Sequence, residues 1–82
     1  MGLAIVFYFA NGDEHDVHMC YSSYWDRIVP LFTEEERDKW HMRPFEGEII
    51  EGEYVVRTWQ VCKEAGYINL QDDRVPVKML HC

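Results

Sequence analysis

Leu3-Ala4-Ile5-Val6-Phe7-Tyr8-Phe9-Ala10-Asn11-Gly12-Asp13-Glu14-His15-Asp16-Val17-His18-Met19-Cys20-Tyr21 is the stretch on which the fold turns. Residues 3–10 are rich in β-branched and aromatic types, which pack well on a pleated surface. Asn11-Gly12 is a tight-turn signal, because both residues tolerate the backbone angles of a hairpin turn. The second run alternates. Val17, Met19 and Tyr21 point one way, and Asp16, His18 and Cys20 the other. The first run does not alternate, which predicts cover on both faces or a central place in a sheet. The chain therefore opens with a β-hairpin.

Beyond the hairpin the period changes from two to about 3.6. Ser23 with Asp26 has capping-box spacing, and Tyr24, Trp25, Ile28 and Val29 fall on one helical face, with Pro30 ending or kinking the helix. Thr33-Glu34-Glu35-Glu36 is a second capping box, opening a short helix toward Met42 that Pro44 closes. The longest helix is predicted from about Ile49 to Ala65. Its polar residues Glu53, Arg57, Gln60 and Glu64 recur at helical spacing, opposite Ile50, Tyr54, Val55, Trp59, Cys62 and Ala65. Gly66 is placed to terminate it. Tyr67–Gln71 and Arg74–Leu80 then offer one or two further strands, and Pro76 predicts that the last lies at a sheet edge.

The order β-β-α-α-α-β(β) defines an α+β fold: a small antiparallel sheet packed against about three helices. Eighty-two residues form one domain. A chain this short needs a core dense in large side chains. Three Trp, five Tyr and four Phe supply them. The apolar run at residues 3–10 is far shorter than the roughly 20 residues of a membrane span. Cys20, Cys62 and Cys82 are odd in number and widely spaced, a pattern suited to a reducing compartment. A cytoplasmic location follows as the expectation, with no membrane partner.

Charge is the chain's most distinctive compositional property. Fifteen Asp and Glu face eight Lys and Arg, a net of −7. Through Val56 there are twelve acids and four bases, and from Arg57 onward three acids and four bases. No Lys or Arg lies between Pro44 and Val56. A strongly negative surface repels nucleic acid and anionic membranes and steers basic partners toward itself. Helix starts account for part of this acidity, since carboxylates there interact with the helix dipole at about 0.3–1 kcal/mol each. The absence of a local cation around Glu46, Glu48, Glu51 and Glu53 is not covered by that account. Those four, with Glu35, Asp38 and Trp40, form the candidate partner-binding set. Trp40-His41-Met42 beside them would supply an aromatic anchor within an acidic rim.

Other chemistries are weaker. His15, His18 and Cys20 are zinc-ligand types, but alternation sends His15 to the opposite face, and no usual zinc spacing is present. Asp16, His18 and Cys20 share a strand face in the order acid, base, thiol, yet residues two apart on a strand start about 6.5 Å apart, too far for direct proton transfer. The five glycines form no phosphate-binding loop. No catalytic residue, metal or cofactor is therefore assigned. The reading is a small acidic, non-enzymatic protein-binding module that occupies a basic, nucleic-acid-binding surface of a larger partner. In composition alone it resembles phage anti-defence inhibitors, DNA mimics and toxin-immunity proteins as a broad class. The alternative is a structural or regulatory subunit with an apolar interface, such as a homodimer, and a minor alternative is a zinc-binding protein that uses His15, His18 and Cys20.

Overall fold

Residues 2–43 and 47–82 are described by a computed structural model. The first strand, β1 (Gly2–Tyr8), pairs antiparallel with β2 (Glu14–Cys20). Five residues separate them, and a backbone bond between Phe9 and Asp13 leaves a turn of three residues rather than two. The Gly12 N–H donates to the Phe9 carbonyl at 3.0 Å, and the Phe9 N–H to the Asp13 carbonyl at 2.9 Å. Gly12 takes φ 92, where a side chain would be strained. Asn11 contributes through its side chain: its Oδ1 accepts from the Asp13 N–H at 3.0 Å.

Helix α1 (Tyr21–Ser23) follows β2 without a loop and runs into a π-helical turn at Tyr24–Ile28 and a 3-10 turn at Val29–Leu31. The Ser23 side chain makes no cap hydrogen bond, so the first capping box does not form. The second does. Thr33 Oγ1 accepts from the Glu36 N–H at 3.2 Å, and Glu36 Oε1 from the Thr33 N–H at 2.8 Å, opening α2 (Glu34–Trp40).

The segment predicted as one helix from Ile49 is two elements. Strand β3 (Ile49–Glu51) comes first, then α3 (Glu53–Glu64). Gly52 between them sits at φ 94, a conformation glycine adopts readily. That kink lets two β-branched isoleucines pair as strand before the helical period starts. At the far end the Tyr67 N–H donates to the Cys62 carbonyl and the Gly66 N–H to that of Lys63, the paired bonds of a Schellman motif.

Tyr67–Gln71 forms turns rather than a strand. The Asn69 side chain accepts from the Gln71 N–H at 2.8 Å, and its carbonyl from the Asp72 N–H at 3.0 Å. Strand β4 (Lys78–His81) completes a four-stranded antiparallel sheet in the order β2-β1-β4-β3. It is an inner strand, not an edge. Pro76 is tolerated because pairing begins beyond it.

All the buried helical side chains belong to one core against one face of the sheet. Leu3, Ile5, Phe7, Val17, Met19 and Met79 form its floor. Trp59 of α3 lies over them, with Phe7 and Phe9 meeting it edge-on at 5.0 and 5.2 Å. Thr58, buried beside it, donates its hydroxyl to the Tyr54 carbonyl at 2.7 Å, so burial leaves that group bonded. Tyr24 reaches into the same core, donating to the Met42 carbonyl at 2.8 Å and lying 3.4 Å from the Tyr54 hydroxyl. Burial raises the pKa of both phenols. The central position of β1 accounts for its unbroken apolar run: Ala4, Val6 and Tyr8, on the other face, are half-buried between neighbouring strands.

Candidate functional site

The acidic set gathers where α2 meets the β3–α3 junction. Lys39 on α2 pairs with Glu53 at the start of α3 at 3.3 Å, and Arg57 one turn further pairs with Glu36 at 2.9 Å. These contacts bring the acids of α2 beside Glu53, whereas Glu51 projects with Ile49 from the sheet face away from the core. Glu34, Glu35, Asp38, Glu48 and Glu51 are exposed and make no ion pair among the described residues. Glu46 lies outside the described residues.

The local cation gap is thus partly closed from elsewhere in the chain. Glu53 has Lys39, although both side chains are more than half exposed and such a pair contributes little. Glu51 lies opposite Lys78 across the β3–β4 ladder. Glu36 has a structural role. Its partial burial works against ionisation, but bonds from the Thr33 N–H and the Arg57 guanidinium outweigh that and hold its carboxyl below its ordinary value.

The helix-start account also narrows. Among Glu48, Glu51 and Glu53, only Glu53 lies in the first turn of α3. Glu51 is on an edge strand and Glu48 precedes it. Neither is placed to interact with that helix as a first-turn residue, so their exposure has no explanation in helix stability.

Trp40 is half-buried against the core. It stacks on Tyr54 at 5.0 Å with rings 20° apart, and Phe32 meets it edge-on at 6.2 Å. One face of the indole is thereby committed to packing. Met42 is buried and His41 exposed, both at positive φ (58 and 61). Trp25, placed on the buried face of the first helix by the sequence, is instead exposed beside Tyr21 and Tyr24. Its neighbours Tyr24 and Ile28 take the core positions.

His15, His18 and Cys20 do not converge. His15 faces the core edge, with its ring against Trp59 at 5.4 Å and Nδ1 3.2 Å from Arg74 Nη2. His18 and Cys20 are exposed. Arg74 is the hub of that corner. It binds Asp72 through two hydrogen bonds of 2.9 and 2.7 Å and stacks on the Phe9 ring at 4.4 Å. The Arg74 hydrogen bonds pull the Asp72 pKa down to about 2. This clamp ties the 69–77 segment to the hairpin, and no sequence motif announces it.

Cys62 is fully buried, and burial pushes its thiol up to about 12, so it is not an activated nucleophile. Among the described residues no helix is long and apolar enough to cross a membrane. Searches against protein-family models, curated proteins and solved structures return no match to this chain.

Proposed function

We propose that this protein is a small, non-enzymatic binding module that occupies a basic surface of a larger protein, of the kind that binds nucleic acid. One observation carries the reading: Lys39 holds Glu53 beside the carboxylates of α2, and Glu34, Glu35 and Asp38 there are exposed with no ion-pair partner among the described residues. Adjacent like charges raise the local negative potential and accelerate encounter with a basic surface. Carboxylates then occupy positions meant for phosphates. Glu35, Asp38, Glu48, Glu51 and Glu53 are the contact residues in this reading, with Glu46, and the outer edge of Trp40 supplies apolar area.

The test is capture of partners from host lysate by the unaltered protein and by a variant with Glu46, Glu48, Glu51 and Glu53 changed to Lys. Capture that weakens steeply with added salt and disappears in the variant supports the reading. Unchanged capture by the variant rejects the site. A second reading, an apolar interface joining subunits, is favoured by exposed Ile49 and its half-buried neighbour Leu80 on one side of the sheet. Salt would leave such an interface largely intact.

A further inference from the structure

The core-forming side chains of the π-helical and 3-10 turns and of α3 pack on one face of the sheet, and the opposite face has no helix over it among the described residues. Its inner strands present Ala4, Val6 and Tyr8 on β1 and Leu80 on β4, continued by Ile49 on β3. Val6, Leu80 and Ile49 stand in one row across three strands, and Ile49 is 54% exposed. None of these five side chains belongs to the core or packs against it. A solvated antiparallel face ordinarily carries polar residues at these positions. Here the middle is apolar apart from Lys78 on β4, and the β2 rim carries Glu14, Asp16, His18 and Cys20.

The rims are acidic. Glu14 and Asp16 project from β2 in the same rows as Tyr8 and Val6, and Glu51 projects from β3. Lys78 is the one cation among the described residues of this face, and it stands directly opposite Glu51 in register. A second copy of the chain is a poor occupant, because each copy carries a net charge of −7.

We propose that this open face is a docking surface for a basic amphipathic helix of a partner protein. Its apolar stripe lies along β1 and β4, and its flanking Lys and Arg reach the carboxylates of β2 and β3. The dimensions agree. Strands lie about 4.8 Å apart, so each outer strand is about 7 Å from the midline of the inner pair. A helix about 10–12 Å wide covers that inner pair with a half-width of about 5–6 Å, and extended Lys and Arg side chains at its flanks span the remaining distance to the rims. This inference rests on the reading of the chain as a binder of basic proteins, and it moves the apolar part of the contact from Trp40 to the sheet.

The experiment titrates the whole, isotope-labelled protein with a synthetic 18-residue Leu/Lys amphipathic helix and follows backbone amide shifts. A Gln/Lys peptide of equal charge and a Leu/Glu peptide serve as comparators. Saturable shifts centred on residues 4–8, 14–18 and 78–81, for the Leu/Lys peptide alone, support the proposal. Changing Val6, Ile49 and Leu80 together to Thr keeps strand propensity and should weaken binding about tenfold or more. If that variant does not fold, the shift map of the unaltered chain decides.

Shifts confined to residues 34–38 and 48–55, with the Gln/Lys peptide binding as well, would overturn the sheet site while leaving the acidic-module reading in place. No binding of either cationic peptide would overturn both. Equal binding of the Leu/Glu peptide would remove the charge argument. A concentration-dependent dimer in sedimentation equilibrium, abolished by the triple Thr variant, would assign the face to self-association instead.

Discussion

Lowering the pH from 7.5 to 4 should remove about 3 kcal/mol of folding stability through one side chain, His81. His81 is 0% exposed, lies beside Ile5 across the β1–β4 ladder, and meets the Tyr24 ring edge-on at 6.3 Å. Burial in these surroundings penalises the imidazolium and holds the ring's pKa down to about 4. In the unfolded chain it returns to about 6.5. Between these values the unfolded state binds a proton that the folded state does not, so stability rises with pH. The contribution is complete above about 6.5 and is lost progressively as the pH falls toward 4. Each pH unit of pKa difference corresponds to about 1.36 kcal/mol, and near pH 5 the slope approaches about 1.2 kcal/mol per unit.

Urea unfolding followed by tryptophan fluorescence at pH 7, 6 and 5 measures that slope in a window above most carboxylate titration. The His81→Leu variant, whatever its stability at pH 7, should show a much flatter dependence over the same range. The reasoning fails if the unaltered protein loses less than about 0.5 kcal/mol between pH 7 and 5, or if both proteins lose the same amount. Against a total stability of about 5–15 kcal/mol, the predicted loss is large enough to read without ambiguity.

Three further outcomes follow from the structure. Thr33→Ala removes the side-chain half of the capping box and should cost about 1 kcal/mol in urea unfolding at neutral pH. Native titration with a thiol reagent should modify the exposed Cys20 and Cys82 quickly, and Cys62 only on unfolding. Arg74→Ala should return the Asp72 carboxyl from about 2 toward its ordinary range, read by carboxyl NMR titration. With Arg74 present, the folded pKa of Asp72 is depressed. The stabilisation from that pair is therefore full above about 3.9 and is lost as the pH falls toward 2, an acid sensitivity the variant should lack.

Much of this architecture is legible in residue order. The hairpin, the Thr33–Glu36 cap, the terminator at Gly66 and the buried side of α3 depend on contacts within a few residues, so local patterns predict them. The misplaced elements depend on distant partners. Ile49–Glu51 is a strand because β4 offers an edge to pair with, and three residues hold too little periodicity to announce that. Pro76 reads as an edge-strand signal only because nothing local shows that pairing starts two residues later. Trp25 has the right spacing for a buried helical face, but a π turn changes which side chains point inward. The candidate site was legible as composition and not as geometry. The acids were visible in sequence, whereas the approach of Lys39 and Arg57 to Glu53 and Glu36 joins separate elements.

The sequence by itself determined the α+β class, the acidic balance, the aromatic core, the hairpin and the Thr33 cap, because those follow from short-range periodicity, turn chemistry and counted charge. Only the tertiary structure decided which carboxylates remain uncompensated, that β4 lies inside the sheet, and that one sheet face keeps its apolar side chains outside the core. These depend on which elements meet across the chain. The physical reason is that charge pairing and burial act through space, while a linear pattern records only neighbours along the backbone.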